Sequence, residues 1–168
     1  MLSLKNGLIS SASKDGNIKL WNINEGRLKV TLNQHTAPVN ALALLDDGFF
    51  ASGSDDNTVR VWNSNDGSLK NTFDSSLSGH TKPVVELAYC GGEILASGSN
   101  DGVIKIWDIE KNKLMYSFDS LSGGHSQRIY ALVSNQLGYL GTTSADGSVR
   151  IIDTNLGSIK YRFPTQGR

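Results

Sequence analysis

The sequence has a single cysteine, Cys90, in 168 residues, so no internal disulfide can form. It has no Asn-x-Ser/Thr glycosylation acceptor. Both absences point to a reducing interior, and the expected location is intracellular, in the cytoplasm. No apolar run approaches the roughly 20 residues needed to cross a bilayer. Met1 to Gly7 holds no long apolar stretch of the kind a secretion signal carries. An excess of either charge is also missing, since sixteen basic and sixteen acidic residues cancel and are interspersed. Nucleic acid and anionic lipid are bound through a field of positive charge, so neither is expected as a partner.

What is present is a repeat. Ala96-Ser97-Gly98-Ser99-Asn100-Asp101-Gly102-Val103-Ile104-Lys105-Ile106-Trp107-Asp108 recurs, with edits, at Ser10 to Asn22, Ala51 to Asn63 and Gly141 to Asp153. The anchor positions Trp21, Trp62, Trp107 and Ile152 are 41, 45 and 45 residues apart. A period in that range marks a propeller or a solenoid. The length suggests one domain, 38% hydrophobic content supports a core, and 18 glycines suggest many turns.

Each repeat alternates in polarity. In Thr58-Val59-Arg60-Val61-Trp62 the two valines share one face, and Arg60 and Trp62 share the other, which is the period of a strand. Ile18/Leu20, Ile104/Ile106 and Val149/Ile151 repeat it. A tight turn joins this strand to the one before it (Asp15-Gly16, Asp56-Asn57, Asp101-Gly102, Asp146-Gly147), using residues that tolerate positive φ. A second turn follows each anchor, then a further strand, then a loop and a fourth strand. No segment reads as a helix. Four antiparallel strands per repeat make a propeller blade. His35, His80 and His125 each stand 27 residues before an anchor, so they belong to the repeat rather than to one active site.

On these residues the chain resembles the WD40-repeat family. Gly79-His80 with Ser97, Asp101 and Trp107-Asp108 fits the family pattern best. Gln34 stands where that pattern has Gly, and only Trp107 is followed by Asp. The resemblance implies an all-β protein of four-stranded antiparallel blades at about 1–32, 33–74, 75–119 and 120–163, with a 164–168 tail, the whole being a single WD40-repeat region. It also implies buried tetrads of His, Ser/Thr, Asp and Trp. His35/Ser52/Asp56/Trp62 and His80/Ser97/Asp101/Trp107 are complete by residue type. His125/Thr142/Asp146 lack the indole, because Ile152 replaces Trp, so Thr142 has to turn its hydroxyl elsewhere and that blade is expected to be less rigid. Ser11/Asp15/Trp21 lack a histidine.

Aligning Ser11 on Ser52 sets Met1 opposite Leu42, so the first blade starts midway through its innermost strand. WD40 rings usually close with seven or eight blades, so four would form an open arc, a half-propeller with bare end faces. Ile18 and Leu20, or Val149 and Ile151, are the residues expected on such faces. Large bare apolar surfaces imply a partner. A candidate homodimer closing an eight-bladed ring is one reading. A fragment of a longer chain is another, and a closed four-bladed ring would need wider wedge angles than the family shows.

His, Asp and Ser together suggest nucleophilic catalysis, but here they recur in register, as catalytic sites do not. Each Asp turn offers one or two carboxylates where calcium needs six to eight oxygens. Cys90 has no ligand partner at metal spacing. Gly91-Gly92 and Gly123-Gly124 open no helix that could cradle a phosphate. The expectation is therefore a non-catalytic protein or peptide interaction scaffold without cofactor or metal. The alternatives are a self-assembling half-propeller and, less favoured, a propeller enzyme. The family's partner surface carries over to Pro38, Asn40, Pro83, Val85, Arg128 and Tyr130, with Lys14, Asp55, Asn100 and Ala145 before the turn aspartates. Arg128 and Tyr130 stand out, because Arg and Tyr are enriched among binding hot spots.

Overall fold

A computed structural model describes residues 1–5, 7–46 and 48–164. Four four-stranded antiparallel sheets are built by consecutive strands, so each sheet is a simple meander. The first contains β1 (Leu2–Ser3), β2 (Leu8–Ala12), β3 (Ile18–Asn22) and β4 (Arg27–Leu32). The second contains β5 (Val39–Leu44), β6 (Phe49–Ser54), β7 (Val59–Asn63) and β8 (Leu69–Phe73). The third contains β9 (Val84–Gly91), β10 (Ile94–Ser99), β11 (Ile104–Asp108) and β12 (Lys113–Phe118). The fourth contains β13 (Ile129–Ser134), β14 (Tyr139–Ser144), β15 (Ser148–Asp153) and β16 (Ser158–Pro164). Residues 165–168 of the tail lie outside the described residues.

The Asp turns follow from side-chain chemistry. In each sheet the turn aspartate accepts from the backbone N–H two residues on: Asn17 on Asp15 (2.9 Å), Thr58 on Asp56 (3.0 Å), Val103 on Asp101 (3.0 Å) and Ser148 on Asp146 (3.0 Å). The residue after it is left-handed, at φ 84° for Gly16, 67° for Asn57, 86° for Gly102 and 75° for Gly147. Asn and Gly reach that region at the lowest steric cost. The register also slips by one residue just before every anchor, between Leu20/Trp21, Val61/Trp62, Ile106/Trp107 and Ile151/Ile152. The repeat thus extends to its bulges.

The chain divides into two compact units, Met1–Val84 and Val85–Arg168. In the first unit, Ile18, Leu20 and Leu32 of the first sheet pack with Val39, Phe50 and Trp62 of the second. In the second unit, Ile104, Ile106 and Phe118 of the third sheet pack with Ile129, Leu140 and Ile152 of the fourth. One pairing rule serves both units: the Ile/Leu face of one sheet receives the anchor face of the next.

One expectation is corrected. Ile18 and Leu20 are buried, not bare, because their face is the one that meets the second sheet. The open face of the first sheet is the opposite one, carrying Trp21. A short 3-10 turn, Ser75–Leu77, follows β8 and leaves the all-β reading intact. Asp74 caps it by accepting from the Ser76 N–H, and Ser78 ends it in the left-handed region.

Candidate functional site

The second sheet and the loop before it assemble a hydrogen-bonded chain. Trp62 Nε1 donates to Ser52 Oγ at 2.8 Å, and Ser52 Oγ lies 2.7 Å from His35 Nε2. His35 Nδ1 lies 2.7 Å from Asp56 Oδ2. An indole N–H can only donate, so Ser52 accepts it and directs its own proton at Nε2. The remaining imidazole proton then sits on Nδ1 and is donated to Asp56. Asp56 also accepts from the Thr58 hydroxyl (2.6 Å) and from the Thr36 N–H (3.2 Å). Burial pushes the Asp56 carboxyl up, but the hydrogen bonds from His35 and Thr58 outweigh it and hold the group well below the usual carboxylate range. The His35 side chain is sealed from solvent.

The fourth sheet builds a related set without the indole. His125 Nε2 lies 2.9 Å from Thr142 Oγ1, and His125 Nδ1 lies 3.0 Å from Asp146 Oδ2. Ile152 offers Thr142 no donor, and the threonine hydroxyl instead lies 3.4 Å from the Arg150 carbonyl. Arg150 closes over the set. Its Nη1 lies against His125 Nδ1, donates to Ser148 Oγ (2.6 Å) and pairs with Asp146 Oδ2 (3.3 Å). Its Nε donates to the Gly123 carbonyl at 3.0 Å. Burial, and then the Arg150 charge, push His125 below the ordinary imidazole value against the pull of Asp146. Burial raises the Asp146 carboxyl, but hydrogen bonds led by that of Ser148 hold it well below the usual range.

In the first sheet Trp21 Nε1 donates to Ser11 Oγ at 2.9 Å, in the same geometry as Trp62 on Ser52, yet Trp21 is 37% exposed. Asp15 is exposed, and a backbone hydrogen bond from Asn17 lowers its carboxyl. In the second unit Trp107 Nε1 donates to Ser97 Oγ at 2.8 Å, both buried, with half-buried Asp101 at the turn. His80 belongs to the first unit, where it is buried.

The loop positions divide. Lys14, Asn40, Asp55, Asn100, Arg128 and Tyr130 are exposed, Tyr130 at 61%. Pro38, Pro83 and Ala145 are only half-exposed. Val85 is not a surface residue: it is buried among Ala88, Cys90 and Ile129, where its apolar side chain is removed from water. Asn40 Nδ2 donates to Asp55 Oδ1 (2.8 Å) and to the Val84 carbonyl (2.9 Å). Arg128 Nη1 donates to Asn100 Oδ1 at 3.2 Å. Half-buried Glu86 is pushed up by burial and drawn back down by the Arg128 charge.

Two contributors escaped the sequence reading. Arg150 holds the position of Lys19, Arg60 and Lys105, and its residue type does not set it apart from them. Thr58 and Ser148, two residues after the turn aspartate, brace the carboxylates; a hydroxyl at that spacing in two of four repeats was the available signal.

The meander sheets, the Asp turns and the linked His, Ser and Trp are those of a repeat-built β-propeller. The family model for the WD40 repeat (WD domain, G-beta repeat) matches residues 2–22, 26–63 and 71–108, more than half of the chain. The chain belongs to the WD40-repeat family, whose members in general serve as protein-interaction scaffolds. The matched spans stop before the fourth sheet, where Ile152 replaces the anchor tryptophan. No curated protein matches the chain. Among solved structures, it is similar to the computationally designed Ika8 protein, at 29% identity and a TM-score of 0.84 over 98% of this chain and 48% of that one. It is similar also to U3-55K, at 25% identity and a TM-score of 0.84 over 98% of this chain and 50% of that one. The chain spans about half the length of each. Among the described residues no helix is long and apolar enough to cross a membrane.

Proposed function

We propose that the chain is a non-catalytic scaffold that binds a protein or peptide through its exposed loop positions, with Arg128 and Tyr130 as the principal contacts. One contrast carries the reading. The residues with catalytic chemistry, His35 and His125, have side chains sealed from solvent. The residues suited to recognition are the accessible ones: Tyr130 stands clear of the surface and Arg128 is held by Asn100. A planar cation held by a neighbour loses less freedom on binding than a free one. Nucleic acid and membrane lack the positive field they need in a chain of zero formal charge.

The test uses peptides selected from a random display library on the wild-type chain. Arg128→Ala with Tyr130→Ala should weaken their binding at least tenfold, as loss of hot-spot residues does, about 1.4 kcal/mol or more. Unchanged affinity would end the assignment of this surface.

A further inference from the structure

We propose that two copies of this chain pair head to tail, the outer face of the β13–β16 sheet of each covering the Trp21 face of the β1–β4 sheet of the other. The pairing rule seen inside each unit supplies the template. There the Ile/Leu face of one sheet takes the anchor face of the next.

The fourth sheet has such an Ile/Leu face and nothing within its unit covers it. The ladder sets Ala131, Thr143, Val149 and Phe163 in one row and Val133, Gly141, Ile151 and Tyr161 in the next. Phe163 stands opposite Val149 as Phe118 stands opposite Ile104. Phe118, under a neighbouring sheet, is 5% exposed, whereas Phe163 is 51% exposed, with Tyr161 at 53% and Val133 at 70%. Contiguous apolar residues on a sheet face are rarely left to water.

The first sheet lacks the complementary cover. Its anchor face sets Ile9, Trp21 and Leu28 in one row. In the corresponding row of the second sheet, Phe50, Trp62 and Leu69, the first two are fully buried and Leu69 is 38% exposed, so the contrast lies at the anchor, where Trp21 is 37% exposed. The Trp21 N–H already has Ser11 as acceptor, so this face can be covered without stranding a buried donor. One chain therefore carries one open face of each kind, and a second copy provides both missing covers. A formal charge of zero puts no net repulsion between copies. The similar propeller chains are each about twice as long as this one, so two copies match one of them in length. An a-to-b contact made twice about a two-fold axis is closed.

The pairing uses sheet faces rather than Arg128 and Tyr130, so it stands or falls independently of the scaffold reading. The test is solution mass by light scattering behind a sizing column, across a dilution series of the full chain. A mass of two copies at the concentrated end supports the pairing. One copy throughout, or an open-ended ladder of masses, overturns it. Phe163→Arg and Trp21→Glu, both at accessible positions, should each reduce the mass to one copy. Mixed together they should form a pair again, because the mixed pair keeps one intact interface. If the two variants stay single when mixed, the head-to-tail arrangement is wrong.

Discussion

Ser52→Ala and Ser11→Ala delete the same hydroxyl from the same repeat position, with different surroundings. Ser52 Oγ accepts from Trp62 Nε1 at 2.8 Å and lies 2.7 Å from His35 Nε2. Both partners are buried, so alanine leaves one donor and one acceptor without water. Each orphan costs about 1–3 kcal/mol, which puts Ser52→Ala at about 2–6 kcal/mol. For a chain of this size that corresponds to a fall in Tm of about 2–4 °C per kcal/mol. Ser11 accepts from Trp21, which is 37% exposed, and water can take over that acceptor role. Ser11→Ala should cost less than about 0.5 kcal/mol. Urea unfolding followed by tryptophan emission compares the two, since both serines lie in the first unit. The comparison belongs in the Phe163→Arg background, which keeps the Trp21 face open to water. Equal losses, or a Ser52→Ala loss below about 0.5 kcal/mol, would refute the view that burial turns this hydrogen-bonded chain into stability.

His125 is held below the ordinary imidazole value of about 6.5, so below that pH the unfolded chain binds the extra proton and the second unit should lose stability as pH falls. Urea midpoints at about pH 7.5 and about pH 5.5 measure the loss, and His125→Gln should flatten it. Asp56 and Asp146 are held below the carboxylate range, so their contribution is complete above about pH 4 and is lost as pH falls further; Asp56→Asn should blunt the acid unfolding of the first unit. Burial pushes the Cys90 thiol up to about 11, so an aromatic disulfide reagent near neutral pH should leave the native chain unmodified and titrate one thiol after guanidinium unfolding. Gly102→Ala should destabilise more than Gly92→Ala. Both glycines are left-handed, a cost of about 1–2 kcal/mol for alanine, but a Cβ at 102 would also meet the Gln127 carbonyl at 2.6 Å, whereas at 92 it meets nothing within 4 Å.

The repeat was legible because its physics is local. An aspartate that bonds the N–H two residues on, a residue that accepts positive φ and alternating apolar side chains can be read within a dozen positions. The identity of the neighbour that each face meets is not local. Alternation separates Ile18/Leu20 from Lys19/Trp21 but does not say which pair faces the next sheet, so the buried pair was expected to be bare. Val85 went astray in the same way: counting from the histidine gives a loop position, and only packing reveals that an apolar side chain there is absorbed into the core. Arg150 shares its place with three other cations, and its fold back onto Asp146 and Ser148 depends on the partners it finds there rather than on its own identity.

The anchor residues carry this one step further. Trp21 and Trp62 occupy the same ladder position, bond the same kind of hydroxyl and follow the same bulge. They differ in cover and in the His35 that Ser52 alone reaches, and Phe118 and Phe163 likewise share a ladder position and differ in cover. The free energy associated with each position is therefore a property of the stacked pair of sheets and not of the repeat that supplies the residue. The fourth sheet carries apolar residues of the interior kind, Val149, Ile151 and Phe163, on a face that its own unit leaves open. An outer face that keeps interior residues is a face whose sequence is matched to cover, and in this chain the surface of the matching kind is the one around Trp21.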